Sequence, residues 1–263
     1  MNQRAFQQKI LTWYATHKRD LSWRQTTDPY RILISEIMLQ QTQVDRVISK
    51  YLLFLETFPT VHDLARASRG DVLALWSGLG YNRRAIHLQD AAQHIVKDYE
   101  GIFPKNRDAL LTLPGVGPYT ANAILSFAFN LSYPCIDTNI RRILIHELHL
   151  SEAISMKELY KIAEKLIPKG RSRDWHNALM DYGSAVLTTK KTGIKPLTTQ
   201  SKFLHSRRWY RGQIMKLLVQ KKKINLDYLI LALKKEKFFL EEILQEMEKE
   251  RLIIYANNLA QLP

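Results

Sequence analysis

Residues 113–142 read LPGVGPYTANAILSFAFNLSYPCIDTNIRR, and their reading governs that of the whole chain. Gly115-Val116-Gly117 stands directly before a helical run. A Gly-x-Gly turn at a helix start points backbone N–H groups outward at the positive end of the helix dipole. Such a turn suits an anion, most often a phosphate. Asp137 follows roughly twenty residues later. A carboxylate beside a phosphate adds repulsion rather than affinity, so Asp137 serves chemistry or caps the helix predicted over Thr138–Leu148.

Working outward, residues 20–44 read DLSWRQTTDPYRILISEIMLQQTQV, with Glu36 in an otherwise apolar helical segment from Ile32 to Leu39. A carboxylate buried there is costly unless it is paired or unless its pKa is meant to rise. Two readings stand: a salt bridge to Arg24 or Arg31, or a general acid kept protonated near neutral pH.

Apolar residues recur at helical spacing nearly everywhere, as in Phe6, Ile10, Trp13 and Tyr14, or Leu88, Ala92 and Ile95. Strand-like alternation is absent before residue 200, which predicts a mainly α body of about ten short helices. Thr188–Ser206 is rich in Thr, Lys and Ser and reads as a connector. Arg207–Gln220, Leu226–Lys234 and Leu240–Glu250 read as helices. Leu252–Tyr255 and Leu259–Leu262 flank Asn257 like a hairpin. The predicted organisation is a helical body over 1–187, a linker over 188–206 and a small winged-helix-like module over 207–263.

The net charge of +14 points to a polyanionic partner. Ten Lys/Arg face only Asp174 and Asp181 between Lys169 and Arg211, which suggests a DNA-facing strip or a solvated linker. The single cysteine, Cys135, excludes an internal disulfide framework and a four-cysteine metal site. No apolar run reaches membrane-spanning length, and the N-terminus lacks the pattern of a signal peptide. The expected location is the cytoplasm, close to the nucleoid.

SEIMLQQTQV, LWSGLGYNRRA, LPGVGPYTANAI and IDTNIRRIL occur in the order and spacing of adenine DNA glycosylases of the MutY type, within the helix-hairpin-helix glycosylase superfamily. The resemblance runs from about Phe6 to Gly183. It implies a helix-hairpin-helix fold of two helical lobes. It also implies an enzyme of base-excision repair that acts on double-stranded DNA containing a mispair, and a monomer is expected. In that family Glu36 would be the acid that protonates the base, and Asp137 would stabilise the sugar cation or form a transient adduct. Tyr119 would hydrogen-bond the sugar-side carboxylate, and Asn139 would hold Asp137 or orient water. Gln41, Leu79 and Tyr81 match residues that wedge into the stack and touch the orphan purine, with Thr42 completing the Gln-Gln-Thr triplet of the adenine branch. Trp23 and Arg24 match a segment lining the adenine pocket, although Trp23 suits a core equally. Gly115, Val116 and Gly117 would clamp one strand. At position 119 the bifunctional relatives place a lysine; tyrosine forms no Schiff base, so excision without efficient strand cleavage is expected.

The chain departs from the family in several places. Most relatives hold an iron–sulfur cluster through four cysteines after the body. The matching positions here are Leu187, Ile194, Leu197 and Phe203, so no cofactor is expected and a hydrophobic cluster is expected to organise that loop. Adenine-specific relatives also carry a C-terminal domain that reads 8-oxoguanine; a winged-helix pattern stands in its place, and discrimination of 8-oxoguanine from guanine is expected to shrink. Thr138 and Asn82 depart from the adenine branch, and IPKGRSRDWHNALMDYGSAV is similar to mismatch thymine glycosylases. Thymine or uracil opposite guanine is therefore the alternative substrate. A non-catalytic DNA-binding protein is a second alternative, one that leaves the co-occurrence of Glu36, Tyr119 and Asp137 without a reason.

Overall fold

The computed structural model describes residues 2–199 and 202–263, so Gln200 and Ser201 of the expected connector lie outside the described residues. The first helices are α1 (Gln3–His17), α2 (Pro29–Leu39), α3 (Val44–Thr57), α4 (Val61–Arg66), α5 (Arg69–Trp76) and α6 (Arg83–Tyr99). They are followed by α7 (Arg107–Leu111), α8 (Pro118–Phe127), α9 (Thr138–Glu147), α10 (Met156–Lys165), α11 (Ser172–Ala185) and α12 (Thr189–Thr192). The C-terminal elements are α13 (Arg207–Lys221), β1 (Lys223–Asn225), α14 (Leu226–Leu233), α15 (Lys237–Lys249), β2 (Ile254–Ala256) and β3 (Leu259–Gln261). Before residue 200 the described residues hold twelve α-helices rather than about ten, because α4, α7 and α12 are too short to show a periodic stripe.

The chain divides into two compact units. The first comprises Met1–Glu36, Pro104–Thr112 and Val116–Thr199. Its core is built where α1 and α9 pack on α11, from Phe6, Ile10, Ile140, Ile143, Leu144, Trp175 and Leu179. Helix α8 is buried from Thr120 to Phe127, so it has no solvated face and shows no simple amphipathic pattern. Two half-buried arginines anchor this unit. Arg173 donates to the carbonyls of Phe127 and Ala128 at the end of α8, and Arg107 donates to Asn122 at 2.9 Å.

The second unit comprises Ile37–Phe103, Leu113–Gly115 and Gln200–Pro263. Helix α4 packs on α6 and α3 on α5, with Phe54 edge-on to Trp76 at 6.2 Å. The C-terminal elements form three helices and a three-stranded antiparallel sheet of order β1-β3-β2, a winged-helix-like arrangement. Asn257 and Asn258 both adopt positive φ, 50° and 59°, which is the backbone a two-residue hairpin turn requires. The pairing of β1 with β3, Ile224 opposite Ala260, was absent from the sequence reading, because three residues show no period. Among the described residues no helix is long and apolar enough to cross a membrane.

Candidate active site

Within the first unit, three elements bring Glu36, Tyr119 and Asp137 together. Helix α2 is buried over Ile32, Leu33, Ile34, Ile37 and Met38, and this apolar face carries Glu36 inward until only 8% of it is exposed. Tyr119 lies in the first turn of α8 and donates its hydroxyl to the Glu36 carboxylate. Burial pushes the Glu36 pKa up to about 7, against the lowering effect of the Tyr119 hydrogen bond; the nearby Asp137 charge pushes it further. Arg24 acts on it only at a distance. The salt-bridge reading of Glu36 is not what the structure holds. Arg24 grips Asp181 with two bonds of 2.6 and 2.8 Å, and Arg31 pairs with Asp28.

The cap reading of Asp137 is the one that the hydrogen bonds bear on directly. The side chain caps α9, accepting the Ile140 N–H at 2.7 Å, and it remains partly accessible beside Glu36. Its second oxygen accepts from Asn139 at 3.2 Å, and the Asn139 carbonyl oxygen accepts from Arg142 at 2.6 Å. Arg142 thereby decides which end of the Asn139 amide faces the carboxylate. Burial raises the Asp137 pKa, opposed by the Ile140 and Asn139 hydrogen bonds and the Arg142 charge. Behind the site, His176 donates from Nδ1 to the Ser172 carbonyl at 2.7 Å. That leaves Nε2 as the acceptor for the Cys135 N–H at 3.1 Å, two residues before Asp137. Burial lowers the His176 pKa to about 4, so the ring stays neutral.

The glycine turn has the expected backbone. Gly115 adopts φ +75°, and a Cβ there would come within 2.7 Å of His87 Cβ. Gly117 is the N-cap of α8, with Pro118 in the first turn and no side-chain cap on the helix. Val116 is buried, so whatever this turn offers an anion comes from backbone amides. Trp23 is 8% exposed, inside a 3₁₀ turn over Ser22–Arg24.

The other expected residues lie in the second unit, where two loops meet at Arg84. Its Nη1 donates to the carbonyls of Ile37, Met38 and Gln40; its Nη2 reaches Gly80 O at 2.9 Å and Thr42 Oγ1 at 3.1 Å. Gln41 and Tyr81 take positive φ, 57° and 48°, alongside Gly78 and Gly80 at 97° and 73°. Gln41 is exposed and Tyr81 half-buried. Leu79 departs from the expectation of a presented wedge: it is 3% exposed and packed inward, because the glycines on either side turn the backbone and leave Tyr81 at the loop's tip.

Several residues that hold the expected ones escaped sequence reading: Asp181, Arg142 and His176 in the first unit, and, in the second, Arg84 and Arg208, which donates to the Tyr81 hydroxyl. Asp181 lies on α11 among buried residues, a carboxylate on an apolar face like Glu36, and that was its available signal. The arginines had none, since an arginine that ties carbonyls together looks in sequence like any surface cation. The positively charged stretch from Lys169 to Arg211 also changes meaning. Arg171, Arg173, Arg207 and Arg211 have internal partners, and its exposed lysines are Lys169, Lys190, Lys191, Lys195 and Lys202. Of the four positions that match cluster cysteines, Leu187 and Ile194 are buried, whereas Leu197 and Phe203 are 65% and 55% exposed. No four-membered hydrophobic cluster forms. Arg142 and Arg141 hold the loop instead, through Leu187 O and Lys195 O.

Residues 34–169 match the family model of HhH-GPD superfamily base excision DNA repair proteins. The chain belongs to that superfamily. HhH-GPD relatives of similar sequence include the adenine DNA glycosylase of Mycolicibacterium smegmatis, 39% identical over 195 residues, which cover 72% of this chain and 67% of that one. The adenine DNA glycosylase of Homo sapiens is 37% identical over 209 residues, covering 74% of this chain and 38% of the human one. That of Buchnera aphidicola subsp. Baizongia pistaciae is 39% identical, with 58% of its length covered. The chain thus spans between 38% and 67% of the length of these relatives. Among solved HhH-GPD folds, a thermostable thymine-DNA glycosylase superposes with a TM-score of 0.69 at 33% identity, covering 72% of this chain and 89% of that one. Endonuclease III trapped covalently on DNA gives a TM-score of 0.64 at 22% identity, with 75% of this chain and 91% of that one covered, a likeness of fold.

Proposed function

We propose that this protein is a monofunctional DNA N-glycosylase that removes adenine mispaired with guanine or 8-oxoguanine. The observation that carries the reading is Glu36, a carboxyl buried beside Asp137 and titrating near neutrality at about 7. A protonated Glu36 gives its proton to N7 of an extruded adenine. The C1′–N9 bond then breaks with its electron pair passing to the base, which leaves neutral. Asp137, steadied by Asn139, opposes the positive charge that develops on the sugar. Water adds to C1′, passes a proton to the Glu36 carboxylate that the first step left, and leaves a hydroxyl on the abasic sugar.

The amides of the Gly115–Gly117 turn and the exposed lysines would hold phosphates, while Gln41 and Tyr81 on the loops gathered by Arg84 would touch the base left without a partner. Sequence similarity to adenine DNA glycosylases supports adenine as the base. A second reading, thymine or uracil opposite guanine, is favoured by the likeness to the thymine-DNA glycosylase. Purified protein incubated with duplexes holding A, T or U opposite G or 8-oxoguanine, then treated with alkali, decides between them. Breaks at adenine support the first reading; breaks confined to T or U overturn it. Borohydride trapping is expected to give no strong covalent band, since Tyr119 supplies no amine.

The residues that match the cluster positions of relatives offer no thiolate, and the single cysteine, Cys135, is buried, so they do not fit an iron–sulfur centre. The protein is accordingly proposed to work without one. Absorption near 400 nm with stoichiometric iron in the purified protein would overturn this.

A further inference from the structure

We infer that Arg208 is a positioning residue for Tyr81, and that through Tyr81 it sets the preference for a purine as the base left without a partner. The inference rests on the reading of the chain as a base-flipping glycosylase. It gives the C-terminal elements a part in that reading.

Tyr81 stands at the tip of a loop whose backbone is held in left-handed conformations at Gly78, Gly80 and Tyr81 itself. Two guanidinium groups of the second unit approach its ring, Arg84 at 5.6 Å and Arg208 at 5.1 Å from the centroid. Arg208 also donates from Nη1 to the Tyr81 hydroxyl. A loop tyrosine with a free hydroxyl would sample several rotamers. One held by its ring face and its hydroxyl together is already ordered, so a base stacking on it loses less freedom. Stacking on a fixed aromatic favours the larger π-face of a purine.

Arg208 is held in turn by the elements around it. Its neighbours on α13, Arg207 and Arg211, are one helical turn apart and bind Glu242, Glu246 and Glu250 at α15. That clamps one face of α13 to α15 while Arg208 engages Tyr81. At the other end of these elements, the Pro263 carbonyl lies where a Cβ on Gly70 would come within 2.9 Å, so the final residue packs against the start of α5. Helix α15, which a helix-turn-helix protein would lay in a DNA groove, carries Glu241, Glu242, Glu246 and Glu248 against Lys237 and Lys249, with Glu250 as its C-cap. An acidic helix is repelled by phosphates. The contact with Tyr81 is therefore the part of these elements best suited to serve the substrate.

The test measures binding alone. Full-length wild type, Arg208→Ala, Arg208→Gln, Tyr81→Ala and the Arg208→Ala/Tyr81→Ala double variant are titrated onto duplexes with a stable abasic-site analogue. The analogue is placed opposite guanine, 8-oxoguanine, cytosine or thymine. The wild type is expected to favour purines by about tenfold. Arg208→Ala should lose most of that preference, the double variant should match Tyr81→Ala, and Arg208→Gln should recover part of it through its amide donor. Melting temperatures should stay within about 2 °C of wild type. A purine preference retained by Arg208→Ala, an equal loss for all four opposite bases, or additive losses in the double variant would each overturn the inference. No bond is cleaved here, so a protein that excises a base other than adenine still answers the question.

Discussion

Glu36 is expensive where it stands. A carboxyl whose pKa is raised binds its proton more tightly folded than unfolded. The fold therefore loses stability as pH rises from the ordinary carboxylate value of 4.5 towards about 7. At pH 8 the loss amounts to roughly 3 kcal/mol at most, for a shift of this size. Glu36→Gln removes both the cost and the acid. It is expected to raise the melting temperature at pH 8 while lowering single-turnover excision by ~10²–10⁴-fold. Calorimetry and quenched-flow assays on the same preparation check the pair of effects; a variant that is active or less stable would contradict the assignment. The wild-type rate should fall as pH rises through about 7, because the group is then losing the proton it must donate. Glu36 and Asp137 were legible from residues 20–44 and 113–142 because each is an acidic side chain in an apolar or glycine-bounded setting. Arg142, which orients Asn139, was not, since its carbonyl partners Gly183 and Leu187 are 41 and 45 positions away and only folding brings them to it.

Helices α9 and α11 show how packing of elements protects this chemistry. They approach at Gly183, where an added Cβ would come within 2.8 Å of Asn139 Cβ and 3.0 Å of Ile143 Cδ1. Gly183→Val is expected to force the helices apart, costing about 1–3 kcal/mol of stability. It should also shift Asn139, so excision should fall more steeply than the folded fraction does; equal losses would mean that the contact serves stability alone. His176 links α11 to the segment before Asp137 as a neutral ring, facing Ser126, Ser172, the Cys135 amide and the Phe127 ring. A histidine with a lowered pKa binds fewer protons folded than unfolded. Stability attributable to it is present above pH 6.5 and drains away as pH falls towards about 4. His176→Asn should flatten that acid limb in urea titrations at pH 4–7, and an unchanged limb would remove His176 from this account. Long helices such as α3 and α6 were readable from their apolar spacing. Helix α8, buried from Thr120 to Phe127, was placed by its glycine turn, and β1 was missed for want of length.

Across the whole molecule, a net charge of +14 implies that binding to DNA weakens with salt. With five exposed lysines between Lys169 and Lys202, the plot of log affinity against log salt for a non-specific duplex should slope at about −4 or steeper. Fluorescence anisotropy over 50–200 mM salt measures it, and a slope near zero would detach the charge from nucleic-acid binding. Composition and motif order were enough to determine the helical class, the glycine turn, the acidic pair and the lack of cluster thiolates, because each is written in local chemistry or in spacing along one element. Tertiary structure alone decided the partners: Arg24 goes to Asp181 and not to Glu36, Leu79 turns inward, and Arg208 reaches Tyr81 across 127 positions of sequence. A side chain's type limits what it can bond, but the geometry of packed helices selects which of many equivalent acceptors it meets.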